Sequence, residues 1–279
     1  MINGEKKNKE ESMSKNKEIK TFDRRFKDEI FEVAAVTSSL GVGAGKGGKE
    51  ELWRASINLI AWKDLNSNEP GVKEEINLSW LTDNEGLKEW QKTIKGNSII
   101  KLKLRKGEKS FMLVELMDAN YKDKELQDIL AEELKPVFYE DEILGKFQLD
   151  KGIKTFQNDI IWAGEEGRLY FDLDEEKRMK DSLKTAHELF KNQKDWSDRI
   201  RAYAASELLE LANDWIDEED EIDEVTEEMF IKSIELDTIS VYPEGEFEIF
   251  FFDGDLFAGH CIIVSGNING SFESADIAG

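Results

Sequence analysis

Four short runs near the end of the chain constrain the fold most. Residues 234–242, 246–252, 259–265 and 272–277 are rich in β-branched and aromatic side chains. They are separated by Pro243-Glu244-Gly245, by Asp253-Gly254-Asp255, and by Asn267-Ile268-Asn269-Gly270. These turn residues tolerate unusual backbone angles and reverse the chain within a few residues, so neighbouring runs must pair antiparallel. Residues 143–149, 153–162 and 168–173 form an earlier set of the same kind, with turns at Lys151-Gly152 and at residues 164–167. Between the two sets lie helical patterns at 175–192, 196–215 and 227–233, the second carrying Ile200, Tyr203, Ala204, Leu208, Leu211 and Ala212 on one stripe. A domain at 139–279 is therefore predicted as an antiparallel meander, a helical block and then an antiparallel sheet.

The first half is also mixed. Strands are predicted at 29–37 and at 52–62, where Trp53, Ala55, Ile57, Leu59 and Ala61 alternate with more polar neighbours. A helix is predicted at 83–94 with Thr82 as its cap, a hairpin at 98–104 and 110–117, and a helix at 123–134 that stops before Pro136. The class is α+β with two mixed domains, 21–138 and 139–279. Residues 1–20 hold almost no apolar side chain and are predicted to be a disordered tail.

Charge is distributed unevenly. From Ala205 to Gly279 there are 21 acidic residues and a single basic one, Lys232, so this stretch carries −20 of the chain's net −23. Such a field opposes nucleic acid and anionic membrane surfaces, and no window approaches the roughly twenty apolar residues of a membrane span. The one cysteine, Cys261, has no partner for an internal disulfide, and the start lacks the apolar core of a secretory signal, so a reducing cytoplasm is expected. Within 214–228 ten acids occur without a base, among them Asp217, Glu218, Glu219 and Asp220. They read either as a solvated loop or as a docking surface for a basic protein. A calcium loop counted from Asp217 would place Ile222 where the sharp turn needs glycine.

Chemical motifs are sparse. Gly43-Ala44-Gly45-Lys46-Gly47-Gly48 satisfies G-x-G-x-x-G, and the same stretch nearly fits a phosphate loop. A strand rather than a helix follows, and Glu50 stands where a magnesium-binding Ser or Thr belongs, so a flexible connection is expected and no cofactor. His187 is expected to be a surface or satisfied helix residue. The turn at 253–260 is the sharper candidate. Asp253, Asp255 and His260 read either as a structural turn or as ligands of a metal that activates water for hydrolysis. Cys261 points away from His260 in a strand, so the two do not form a nucleophile and base, and no catalytic residue is assigned. Trp196, Trp215 and Phe257 are expected to be exposed aromatic contacts.

The segments Leu144-Gly145-Lys146-Phe147-Gln148-Leu149-Asp150, Ile161-Trp162-Ala163-Gly164, Leu211-Ala212-Asn213-Asp214-Trp215 and the turn through His260, with Ala275-Asp276-Ile277-Ala278-Gly279, together resemble a bacterial family of unknown function, domain of unknown function 2262. The resemblance covers about residues 140–279, and the preceding region resembles the amino-terminal domain that accompanies it. It implies a bacterial cytoplasmic protein and supplies no activity or catalytic residue. Small acidic α+β architectures of this kind resemble immunity proteins that neutralise toxins. Two functions are thus expected to compete: a non-enzymatic acidic protein-binding module, with Asp253, Asp255, Phe257, His260, Trp215 and Asp217–Asp220 as its contacts, and a metal-assisted hydrolase.

Overall fold

The computed structural model describes residues 15–216 and 223–279, and the chain divides into two compact units between Lys135 and Pro136. In the first unit a helix, α1, covers residues 15–23. The expectation of disorder through Lys20 is thereby corrected for residues 15–20. The Glu18 carboxylate accepts hydrogen bonds from the amides of Glu51 and Leu52 at 2.8 and 3.1 Å, which fixes a sequence with little apolar content of its own.

Strands β1 (Phe26–Thr37), β2 (Gly43–Gly45), β3 (Trp53–Asp64) and β4 (Ile76–Thr82) are followed by α2 (Asn84–Thr93), β5 (Ile99–Gly107), β6 (Ser110–Asp118) and α3 (Lys124–Glu133). β1 pairs with β5 and also with β3, so β1-β3-β4-β6-β5 closes into a ring with β2 appended to β3. Only β4 and β6 run parallel among these pairs. A closed five-stranded Greek-key barrel with a helix between its third and fourth strands is an OB-type barrel.

The inward alternation explains the closure. Ala55, Ile57 and Leu59 meet Leu78, Leu102, Leu104 and Phe111 inside the ring, while α2 brings Trp90 edge-on to Trp80 with centroids 5.3 Å apart. On the outside, Ala34, Val36, Ala61 and Ile99 form a second cluster around Leu126 of α3. The cap of α2 is Asp83 rather than Thr82, its carboxylate accepting from the Gly86 amide. β4 escaped the sequence reading although Ile76, Leu78 and Trp80 alternate with Asn77, Ser79 and Leu81.

The second unit contains β7 (Phe138–Asp141), β8 (Gly145–Asp150), β9 (Thr155–Trp162), β10 (Glu165–Asp172), α4 (Glu176–Lys191), α5 (Gln193–Asp214), α6 (Glu227–Ser233), β11 (Glu235–Val241), β12 (Glu246–Phe252), β13 (Cys261–Asn267) and β14 (Phe272–Ala278). The two predicted antiparallel sets, seven strands in all, join with the unpredicted β7 in one eight-stranded sheet in the order β14-β13-β12-β11-β10-β9-β8-β7. The joint is β10–β11, the parallel pair, with the helical block as its crossover.

Each helix buries one stripe on the same face of this sheet. Met179, Leu183, Ala186 and Leu189 of α4, and Trp196, Ile200, Ala204, Leu208 and Ala212 of α5, meet Leu169, Phe171, Ile239, Val241, Phe247, Ile249 and Phe251. These side chains recur every three or four residues in the helices and every second residue in the strands, as the two periods require. The opposite face of the sheet carries Tyr170, Thr238, Ser240, Glu248 and Phe250, placed side by side by the pairings Tyr170–Ser240, Ser240–Glu248 and Thr238–Phe250.

Candidate functional site

The turn that joins β12 to β13 is built around a buried carboxylate. Asp253 accepts from the amides of Phe257 at 2.7 Å and Gly259 at 2.9 Å through one oxygen, and from Asp255 at 3.3 Å through the other. Gly254 lies at φ +59°, and a Cβ there would stand 2.1 Å from the Ser233 carbonyl oxygen. Asp255, Ala258 and Gly259 also have positive φ. Two non-glycine residues in this region beside two glycines require an organiser, and the Asp253 amide bonds supply it. His260 keeps its Nδ1 on the Phe257 carbonyl at the base of the turn.

The structure therefore brings Asp253 and His260 into one turn but directs their polar atoms into the backbone. Among the described residues no group of three or more His, Cys, Asp or Glu is arranged to hold a metal ion. Burial, with Asp237 adding to it, pushes the Cys261 thiol up from its ordinary pKa, the reverse of an activated nucleophile.

Of the three expected aromatic contacts, only Trp215 reaches solvent. Phe257 is fully buried and Trp196 nearly so, because each inserts into the core between helix and sheet. Trp215 ends α5 at 40% exposure, resting edge-on against Phe257 at 5.7 Å and His260 at 5.2 Å. Next to it, the Asn213 amide donates to the Val225 carbonyl at 3.0 Å, while the Val225 amide donates to Asn213 Oδ1 at 2.9 Å. This two-bond clamp closes the acidic loop at its base and brings Asp214 near Asp223 and Glu224, all exposed. Asp217, Glu218, Glu219 and Asp220 lie outside the described residues.

Two charged pairs that the sequence reading missed lie in the second unit. Arg201 of α5, with a side chain only 9% exposed, makes a bidentate pair with Glu165 at 2.6 and 2.8 Å. Its remaining N–H groups go to Ser197 Oγ and to the carbonyls of Ile231 and Ile234. Glu165 additionally accepts from the Leu236 amide at 2.9 Å. The pair thus ties β10, α5, α6 and β11 together at the crossover. An arginine one residue after Ile200, inside an apolar stripe, is the signal that points to it.

His187, expected to be a satisfied helix residue, bonds through Nε2 to both Asp141 oxygens at 3.0 and 3.1 Å. Burial alone would raise the Asp141 carboxyl, but His187 and the amides of Leu144 and Ile143 outweigh it and hold the pKa below its ordinary value.

The glycine run of the first unit holds no phosphate cradle. β2 lies within it and the strand β3 follows in place of a helix, and the Gly47 amide donates to Glu50 at 2.8 Å. A Cβ at Gly43, Gly45 or Gly48 would meet nothing within 4 Å, so no close approach demands these glycines.

Comparison with known proteins follows the same division of the chain. No curated protein matches it. Residues 18–133 match a family model described as a domain of unknown function (DUF7021), and residues 141–277 match one described as "Uncharacterized protein conserved in bacteria (DUF2262)". The second unit thus carries a DUF2262-family domain, which follows a DUF7021 domain in the first unit.

Proposed function

We propose that this is a non-enzymatic, cytoplasmic bacterial binding protein whose acidic carboxyl-terminal unit docks a basic protein, in the manner of an immunity protein facing a toxin. One observation carries the reading. Around the half-exposed Trp215, a clamp at Asn213 and Val225 gathers Asp214, Asp223 and Glu224 on the surface, and Asp255 is exposed on the turn whose Phe257 and His260 pack against Trp215. An exposed aromatic anchor with exposed carboxylates on the neighbouring segments suits a cationic partner, because the ring supplies buried area and the charges accelerate and orient encounter. Asp253, Phe257 and His260 act beneath it as the support that holds Trp215 in place. The cytoplasmic placement is supported by the single cysteine, and no helix among the described residues is long and apolar enough to cross a membrane.

The experiment measures binding of the full chain to the basic product of an adjacent gene while ionic strength is raised about tenfold. The affinity is expected to fall steeply with salt, and Trp215→Ala to weaken it by about tenfold or more without lowering thermal stability to match. An affinity indifferent both to salt and to Trp215→Ala overturns the reading.

A further inference from the structure

The sheet of the second unit opens where its two halves join. β10 and β11 pair only through Arg168–Thr238, Leu169–Ile239 and Tyr170–Ser240. Beyond that point β10 stays with β9 and β11 stays with β12, so the two strands part at their carboxyl ends. In α/β sheets, too, a crevice at the carboxyl ends of parallel strands is where ligands settle. A cavity of about 360 Å³ lies here, a volume suited to a small organic molecule.

The lining is specific in chemistry. Tyr170, Tyr242 and Phe250 supply three aromatic rings, Asp172 and Asp237 supply carboxylates, and no described basic side chain lines the cavity. Asp237 pairs with Arg168 at 3.3 Å, and Asp172 accepts from the Thr155 hydroxyl at 3.3 Å. Thr238 is 9% exposed and lines the cavity. Its place beside the bulge between Leu236 and Thr238 turns it to this side of the sheet.

We propose that this cavity binds a small organic cation, an alkylammonium or alkylguanidinium group, between the Tyr170, Tyr242 and Phe250 rings. Asp172 takes the charge and Thr238 accepts one N–H. Aromatic faces attract cations through the ring quadrupole, and the exposed Asp172 carboxylate at the cavity mouth adds a charge-assisted hydrogen bond. The site lies on the sheet face opposite the helices, apart from Trp215, and does not depend on the docking reading above.

The test titrates the full chain, labelled with nitrogen-15, with n-butylammonium and n-butylguanidinium, and with neutral n-butanol as the matched control. Saturable amide shifts at Tyr170, Thr238 and Ser240 in the millimolar range, absent with butanol, support the site. Asp172→Asn is expected to weaken binding about tenfold and Thr238→Val, which keeps the shape, about fivefold, while Glu273→Gln on β14 leaves it unchanged. A parallel arm uses blocked lysine and arginine amides. Tighter binding of these than of the free amines assigns the cation to a protein side chain, and weaker binding assigns it to a free metabolite. Absence of saturable shifts at the cavity, equal shifts with butanol, or unchanged affinity in a folded Thr238→Val variant overturns the proposal.

Discussion

Replacing Glu165 with Gln tests whether the crossover of the second unit is held by charge. Arg201 spends its donors on Glu165, Ser197, Ile231 and Ile234, so the substitution leaves a buried guanidinium without its counter-charge while preserving side-chain size. Breaking a fully buried pair from one side is worth about 3–5 kcal/mol. The Glu165 side chain is 39% exposed, so water reaches the vacated side and the loss falls to about 2 kcal/mol. Arg201→Met removes the donors of two buried carbonyls as well and should lose about 3 kcal/mol. At about 3 °C per kcal/mol for a unit of this size, the melting transition of the second unit drops by about 6 °C and about 9 °C respectively. Calorimetry reads the drop, and hydrogen exchange at β10, β11 and α5 assigns it to this unit. The double variant completes a cycle in which the losses should fall short of additive by about 2 kcal/mol. Two single losses below about 0.5 kcal/mol each that simply add would refute the view that this pair fastens the parallel joint.

Three further outcomes are expected. Asp253→Ala strands the amides of Phe257 and Gly259 and should destabilise the second unit by about 3 kcal/mol in urea unfolding; metal analysis of protein purified without chelator should find the same content in both forms. Gly254→Ala forces a methyl group onto the Ser233 carbonyl at a positive φ, and a loss of about 2 kcal/mol or more should appear in the same assay. Asp141 has a folded-state pKa below its unfolded value, so its contribution is present above about pH 4 and disappears as pH falls through the folded value; stability measured against pH should lose part of its acid-side slope in Asp141→Asn.

All strands of the second unit but the short β7 were legible because their period of two is punctuated by turn residues that admit no helix, and α4 and α5 because their stripes keep the helical period. The single sheet was not legible. Two antiparallel sets read alike whether they stand apart or share an edge, and only the three-residue parallel register of β10 and β11 joins them. The barrel closure was hidden for the same reason, since β1 pairs with both β3 and β5 across long separations. β4 was overlooked where the alternation was short and followed a polar stretch. At the candidate turn, the sequence showed two carboxylates and an imidazole but not where they point. Phe257 and Trp196 looked like contacts because an aromatic residue beside charged neighbours reads the same in a core as on a surface.

The distribution of satisfied polar groups separates the two faces of the second unit. On the helical side and at its rim, Arg201 and Glu165, Asn213 and Val225, Asp253 with its loop amides, and Asp141 with His187 all close on partners within the protein. Groups so engaged position neighbours and resist exchange for a ligand, because any incoming molecule must replace bonds already made. On the opposite face, Thr238 and Asp172, which accepts from the Thr155 hydroxyl at 3.3 Å, line a cavity beside three aromatic rings. A protein that used its helical side for chemistry would have to break the bonds that hold β10 to β11. The small-ligand site proposed above therefore falls on the other side of the joint, and the proposed protein contact at the rim by Trp215, where Asp214, Asp223 and Asp255 face solvent.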